Sequence, residues 1–243
     1  MSANCLKDTD VVILAGGLGT RLRSLFPDLP KCLVPVNGIP FLGHYLNWLH
    51  RFGVQRIILS LGHKSEMIQA YLKVEPQVDM EIETFVESSP LGTGGALRAA
   101  LPLVRSGTVL VTNGDSLTCA DLCAFKSFHI NKKAEASILL TRSVETKASG
   151  VVETDENDAV TAFSEKPTGA TKEPAYINAG MYLMEREAIL EIPPDKPVSL
   201  ERDIFPDLCG RHFYALKGAF PFIDIGTPET YSQAAAFFEE QSA

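Results

Sequence analysis

The stretch VVILAGGLGTRL, Val11–Leu22, sets a β-branched apolar run directly against three glycines, a hydroxyl and a guanidinium. An uninterrupted apolar run of this length reads as a strand buried on both faces, the usual condition of a parallel sheet. Leu14 and Ala15 close the strand. Gly16, Gly17 and Gly19 let the backbone turn at its end and present N–H groups to an anion. Thr20 adds a hydroxyl, and Arg21 a planar fork of donors suited to phosphate oxygens. The loop lacks the Gly-Lys-Ser/Thr ending of a Walker loop. Its glycine spacing is not that of a dinucleotide fingerprint, and no acidic residue ends a second strand about 20 residues on. A plain strand-to-helix turn remains the simpler alternative for the loop by itself.

Working outward, short apolar runs alternate with helical patterns through the first half. RIILSLG (Arg56–Gly62), MEIETF (Met80–Phe85), TVLVTN (Thr108–Asn113) and EASILLT (Glu135–Thr141) read as strands. Helical spacing recurs over Phe41–Phe52, Ser65–Lys73 and Gly94–Val104, and again from an N-cap at Asp121. This alternation predicts an α/β three-layer sandwich, Rossmann-like, with a mixed and mostly parallel sheet. The second half changes character. GVVETDENDAVTAF reads as two strands around an acidic turn, followed by AYINAGMYLM, HFYALKG and FPFIDIG, and a helix over Pro228–Glu239. One domain is expected across residues 1–243, in two parts, about 10–135 and about 136–243.

The 243 residues suffice for a sizeable core, and the net charge of −8 argues against nucleic acid as a partner. It leaves room for a small phosphorylated ligand held by a few cations and backbone N–H groups. Five scattered cysteines, with no second pair at zinc-ligand spacing, predict reduced thiols. The N-terminal MSANCLKDTD lacks the pattern of a signal peptide, and no apolar run reaches the roughly 20 residues of a membrane span. A cytoplasmic protein without membrane contact is expected; homo-oligomerisation is left open.

Further residues invite chemistry. Lys31, in PKCLVPV, lies between prolines on what reads as a stiff extended segment. ESSPLGTGGAL (Glu87–Leu97) is a second glycine-rich turn opening a helix, with Gly92–Gly95 leaving space for a flat base or sugar. Glu87 could accept from the N–H and NH₂ edge of guanine, or simply be solvated. Asp115, in TNGDS, follows a strand at the sheet edge where ligands bind in α/β folds. Asp224, in FIDIGTP, is an acid within an apolar strand, and so requires a cation or strong donors. Two such carboxylates suit a Mg²⁺ ion bridging phosphates. Glu165–Lys166 supply a further acid and ammonium, and Asn178–Gly180 a polar notch. Asp8–Asp10 reads as a solvated lead-in rather than a metal motif, and Asp155–Asp158 as a hairpin turn.

In their order GGLGTRL, PKCLVPV, PLGTGGAL, NGD, EKP, NAGMY and FIDIGTPETY resemble the sugar-1-phosphate nucleotidyltransferase family, over nearly the whole chain. The resemblance implies a Rossmann-like fold that joins a nucleoside triphosphate to a sugar 1-phosphate with Mg²⁺ as cofactor. It implies that Leu14–Arg21, Glu87, Gly92, Thr93 and Asn113 hold the nucleotide, with Arg21, Lys31 and Asp115 catalytic. Asp115 and Asp224 would bind the metal; Gly114, Gly150, Glu165, Lys166, Asn178 and Gly180 would line the sugar-phosphate pocket. Cys32 departs from the proline found after the lysine in many members. No β-helix domain like that of longer members is expected, and the resemblance assigns nucleotide binding to the part about 10–135 and sugar-phosphate binding to the part about 136–243. Among short ones, the D-glycero-α-D-manno-heptose 1-phosphate guanylyltransferases look most similar, which implies GTP and a heptose phosphate as partners. Mannose 1-phosphate guanylyltransferases, N-acetylmuramate 1-phosphate uridylyltransferases and a non-catalytic nucleotide-sugar-binding regulator are the alternatives.

Overall fold

The computed structural model describes residues 4–74, 79–143, 150–165 and 175–241. Strand β1 (Asp10–Ala15) opens the fold. A hairpin, β2 (Pro35–Val36) and β3 (Ile39–Pro40), leads into α1 (Phe41–His50). Then come β4 (Arg56–Leu61), α2 (Ser65–Val74), β5 (Glu81–Val86) and α3 (Gly92–Ala100). They are followed by β6 (Thr108–Asn113), β7 (Ser116–Thr118), α4 (Leu122–Lys132) and β8 (Ala136–Ser143). The second half supplies β9 (Val151–Thr154), β10 (Val160–Ser164), β11 (Ala175–Glu185) and α5 (Arg186–Leu190). A wide helical turn, Leu200–Ile204, runs into α6 (Phe205–Leu208), β12 (Phe213–Gly218) and β13 (Phe222–Asp224). Helices α7 (Pro228–Tyr231) and α8 (Ala234–Glu240) follow.

Among the described residues, nine strands form one sheet in the order β10-β9-β11-β6-β1-β4-β5, with β8 and β12 continuing from β11. From β6 to β5 every pairing is parallel, while β11 runs antiparallel to β6, β8 and β9. The sheet is mixed, as the sequence leads one to expect. Alternate side chains of β1 face opposite layers: Val11 and Ile13 pack with α1, α2, α4 and α8, while Val12 packs with α3, α5 and α6. Period-2 alternation in a strand covered on both faces therefore builds two cores from one run of sequence.

Asp121 caps α4 as expected, its Oδ1 accepting from the N–H of Cys123 and of Ala124. Asp155 likewise closes the acidic hairpin turn through the N–H groups of Asn157 and Ala159. The expected last helix is broken in two, because the Gln233 N–H bonds Thr230 three residues back instead of continuing the α pattern. Two expectations fail. Asp10 is no solvated lead-in: it is buried, pairs with Arg56 and accepts from the N–H groups of Arg105 and Ser106. The thiols are not all reduced either. Cys5 and Cys123, 118 residues apart, are joined in a disulfide that ties the N-terminal segment to α4. Among the described residues, no helix is long and apolar enough to cross a membrane.

Candidate functional site

The loops after β1, β5 and β6 meet at one edge of the sheet around a cavity of about 480 Å³. Its lining includes the whole loop from Leu14 to Arg21, together with Lys31, Glu87, Gly92, Thr93 and Asn113–Asp115. The expected nucleotide set therefore shares one cavity. Buried Leu22 anchors the short helical turn Thr20–Leu22, which leaves Arg21 outside the core and facing that space.

Lys31 is presented differently from the expectation. It begins a helical turn, Lys31–Leu33, in place of an extended segment, because the N–H groups of Leu33 and Val34 bond back to Pro30 and Lys31. Cys32 and Leu33 are buried and fix that turn from below. Burial pushes the Cys32 thiol up to about 12, so it stays protonated and is no nucleophile.

The two aspartates come together through strand pairing. Asp115 sits between β6 and β7, and β7 pairs antiparallel with β13 so that Asp224 lies opposite Ser116. The Ile225 N–H also donates to the Asp115 carbonyl at 2.9 Å. Lys31 Nζ lies 2.6 Å from Asp115 Oδ2 and 3.5 Å from Asp224 Oδ1. Burial, and then the neighbouring charge of Asp115, raise the Asp224 carboxyl above the ordinary carboxylate range; Lys31, the Gly226 N–H and Arg21 oppose the rise. Two carboxylates crowded around one ammonium form a site that a further cation would relieve.

Glu87 has defined partners. Its Oε2 accepts from the Leu91 N–H at 2.9 Å, and its Oε1 lies 3.5 Å from Ser60 Oγ. Burial raises its carboxyl above the usual range. Gly92 borders the cavity, as expected of a ligand wall, but the bareness of the second glycine turn also serves the fold. Cβ atoms built on Gly92 and Gly95 would lie 2.5 Å from the carbonyl oxygens of Val198 and Lys196, so the missing side chains admit a neighbouring chain segment.

Of the expected sugar-phosphate residues that are described, Gly114 lines the cavity and the others lie elsewhere. Asn178 is nearly buried and bonds Tyr182 and the Gly180 N–H. Gly180 takes a left-handed φ of 69°, and a Cβ there would lie 2.7 Å from Ser116 Oγ. Asn178 and Gly180 thus brace the turn that carries Asp115. Gly150 packs on Phe163, and its carbonyl accepts from the Asn178 N–H. Glu165 is exposed and 3.8 Å from Arg202; Lys166 lies outside the described residues. Sequence reasoning passed over Gly226, where Arg21, Lys31 and Asp224 converge, although it lies in the quoted FIDIGTP. It also passed over Glu201, which no quoted motif contains.

The chain is similar to known proteins over most of its length. The model of the nucleotidyl transfer family described as "Nucleotidyl transferase" matches residues 10–241. A mannose-1-phosphate guanylyltransferase of Mycobacterium tuberculosis is 38% identical over 232 residues, 93% of this chain and 64% of its own length. A D-glycero-alpha-D-manno-heptose 1-phosphate guanylyltransferase of Aneurinibacillus thermoaerophilus is 37% identical over 228 residues, covering 93% of this chain and 96% of that protein. The crystal structure of HddC from Yersinia pseudotuberculosis superposes with a TM-score of 0.83 at 35% identity, covering 95% of this chain and 99% of that one. HddC has also been crystallised in complex with GMP-PN. By the extent of the family match and by these identities, the chain belongs to the nucleotidyl transferase family.

Proposed function

We propose that the protein transfers a nucleoside monophosphate, guanosine monophosphate in preference, from its triphosphate to a sugar 1-phosphate. The observation that carries this reading is the Lys31 ammonium held between Asp115 and Asp224 at a cavity whose other wall is the Gly16–Arg21 loop. The guanylyltransferase relatives and the GMP-PN complex of HddC support guanosine. The heptose-named relatives support D-glycero-α-D-manno-heptose 1-phosphate as acceptor, and the mycobacterial relative supports mannose 1-phosphate.

In this reading the N–H groups of the glycine loop and the Arg21 guanidinium hold the triphosphate along the cavity. A sugar-phosphate oxygen attacks the α-phosphorus in line. The bond from that phosphorus to the bridging oxygen breaks, and pyrophosphate leaves with the electron pair. Lys31 stabilises the charge that develops on the phosphoryl oxygens, held in place by its two carboxylates. Asp115 and Asp224 fit a Mg²⁺ ion: both keep exposed carboxylate surface, and Asp224 is short of neutralising charge. A Mg²⁺ ion held by two carboxylates takes waters and phosphate oxygens as its other ligands. Bound there, the ion would neutralise phosphate charge and support the leaving pyrophosphate. Glu165 and Lys166 are assigned to the sugar phosphate, and residues 1–243 to a single catalytic unit, on family resemblance.

Pyrophosphate release is the test, run with GTP, UTP, CTP and dTTP, each against heptose, mannose and N-acetylmuramate 1-phosphates. Fastest release with GTP and the heptose phosphate is expected. No release with any pair would leave a binding protein. Asp115→Asn is expected to abolish nearly all turnover with the fold retained, and normal Mg²⁺-dependent activity in that variant would remove the metal assignment.

A further inference from the structure

Glu201 lies on the wide turn Leu200–Ile204 and is itself assigned to neither substrate, yet its carboxylate gathers donors from two directions. Oε2 accepts from Thr93 Oγ1 at 2.7 Å and from Ser199 Oγ at 2.9 Å, while Oε1 accepts from Tyr182 Oη at 3.4 Å. Each contact leads to a different part of the site.

Through Thr93 the connection runs to the first turn of α3, which lines the cavity. Thr93 Oγ1 also accepts from the Leu200 N–H at 2.8 Å, and the N–H groups of Gly94 and Gly95 donate to the Val198 carbonyl at 2.9 and 3.1 Å. The segment Val198–Glu201 is thus stapled to the second glycine turn. Through Tyr182 the connection runs to Asp115. The fully buried Tyr182 hydroxyl accepts from Asn178 Nδ2 at 2.8 Å, and Asn178 Oδ1 accepts from the Gly180 N–H at 2.9 Å. This holds Gly180 in its left-handed conformation against Asn113 and Ser116, the residues that flank Asp115 across Gly114. Every donor in the relay has an acceptor, and a buried hydroxyl or amide deprived of its partner carries a desolvation cost.

We propose that Glu201 is a positioning residue. It sets the spacing between the nucleotide-side turn at Thr93 and the turn carrying Asp115, so that two substrates held by different elements meet in line. The kinetic half of this inference rests on the nucleotidyl-transfer reading; the structural half rests on the hydrogen bonds alone. Two reactants on separate walls gain rate only while their separation is fixed, and a 1 Å error costs about 10²-fold.

The test compares Glu201→Ala, Glu201→Gln and Tyr182→Phe in the full chain, by pyrophosphate release and by amide hydrogen exchange. Glu201→Ala is expected to lower kcat about 10- to 100-fold and raise KM for both substrates, at temperatures well below melting. Glu201→Gln should recover kcat to within about threefold of the parent, because its carbonyl oxygen still accepts from Thr93 and Ser199. Tyr182→Phe cuts only the Asp115 arm, and should lower kcat while leaving KM for the nucleotide unchanged. A merely structural role predicts a lower melting temperature with kcat and both KM values unchanged. That result, or a Gln variant as damaged as the Ala variant, overturns the proposal. A parent that releases no pyrophosphate defeats the nucleotidyl-transfer reading, and the exchange data then decide the structural half. Glu201→Ala must lose protection at Gly94, Gly95 and Gly180 together; unchanged protection at either wall overturns it.

Discussion

One added methyl at Gly226 tests the charged cluster without removing any charge. A Cβ built there lies 2.6 Å from Asp224 Oδ1, 3.0 Å from Lys31 Nζ and 3.3 Å from Arg21 Nη2. Ordinary contact begins near 3.4 Å, so in Gly226→Ala the Asp224 carboxylate must retreat by about 0.8 Å and the Lys31 ammonium by about 0.4 Å. Rotating the carboxylate away gives up its bond from the Gly226 N–H and loosens its 3.5 Å contact with Lys31. Displacements approaching 1 Å at reacting groups cost about 10²-fold in rate, close to 2.7 kcal/mol at the transition state. Stability should barely change, because the Asp115 and Asp224 side chains keep 42% and 28% exposure and can move into solvent. The lost backbone freedom of the unfolded chain even favours alanine by about 0.4–1 kcal/mol. The assay is pyrophosphate release with GTP and the preferred sugar phosphate, beside a thermal melt. A kcat within threefold of the parent would refute the claim that these groups act at this spacing. A collapse of the melting temperature would show that the methyl had damaged the fold instead.

Asp10→Ala is expected to cost about 3 kcal/mol in urea denaturation, because it strips a partner from the buried Arg56 and an acceptor from two N–H groups; a loss below about 1 kcal/mol would return Asp10 to a solvated role. Burial holds the His129 imidazole below its ordinary 6.5, against the opposing pull of Glu185, so the unfolded chain takes up the proton first as pH falls. The native state should therefore lose stability below about pH 6.5 and hold it above, a slope that His129→Gln flattens in melting curves; an unchanged slope counts against this assignment. Cys5→Ser should lower stability by about 2–4 kcal/mol without reductant and leave nothing for reductant to remove, whereas an unchanged stability would mean that the bridge does not form.

The fold was legible because its signals are local. Val11–Ala15 needs only its own apolar run to be read as a doubly covered strand, and Asp121 only its own carboxylate to start a helix. In the candidate site the residues and the pairing of Asp115 with Asp224 were legible, but the contact of both with Lys31 was not. Lys31 is 84 residues from Asp115 in the chain, and only the β7–β13 pairing brings Asp224 to the same ammonium. Asp10 and Asp224 are both acids at strand ends, and local sequence assigned solvent to one and a cation to the other. Asp10 instead meets Arg56, a contact across 46 residues that no spacing rule anticipates. The Cys5–Cys123 bridge was hidden for the same reason, since only the packing of α4 brings its ends together.

The glycines carry the sharper lesson. Gly16–Gly19 and Gly92–Gly95 look alike in sequence, two glycine-rich turns after strands, and both border the cavity. Their bareness serves different ends. Gly17 has nothing within 4 Å of an added Cβ and so faces open space, whereas Gly92, Gly94 and Gly95 are bare because residues 196–200 lie against them. Ser199 in that segment donates to Glu201 just beyond it, and Glu201 accepts in turn from Thr93. A turn that reads as a ligand wall is therefore half a ligand wall and half a docking surface for the strut behind it. An alanine at Gly17 should touch only what binds in the cavity, while one at Gly95 must first displace the Lys196 carbonyl, 2.5 Å from its Cβ. The two substitutions therefore separate what the loops do for a substrate from what they do for the fold.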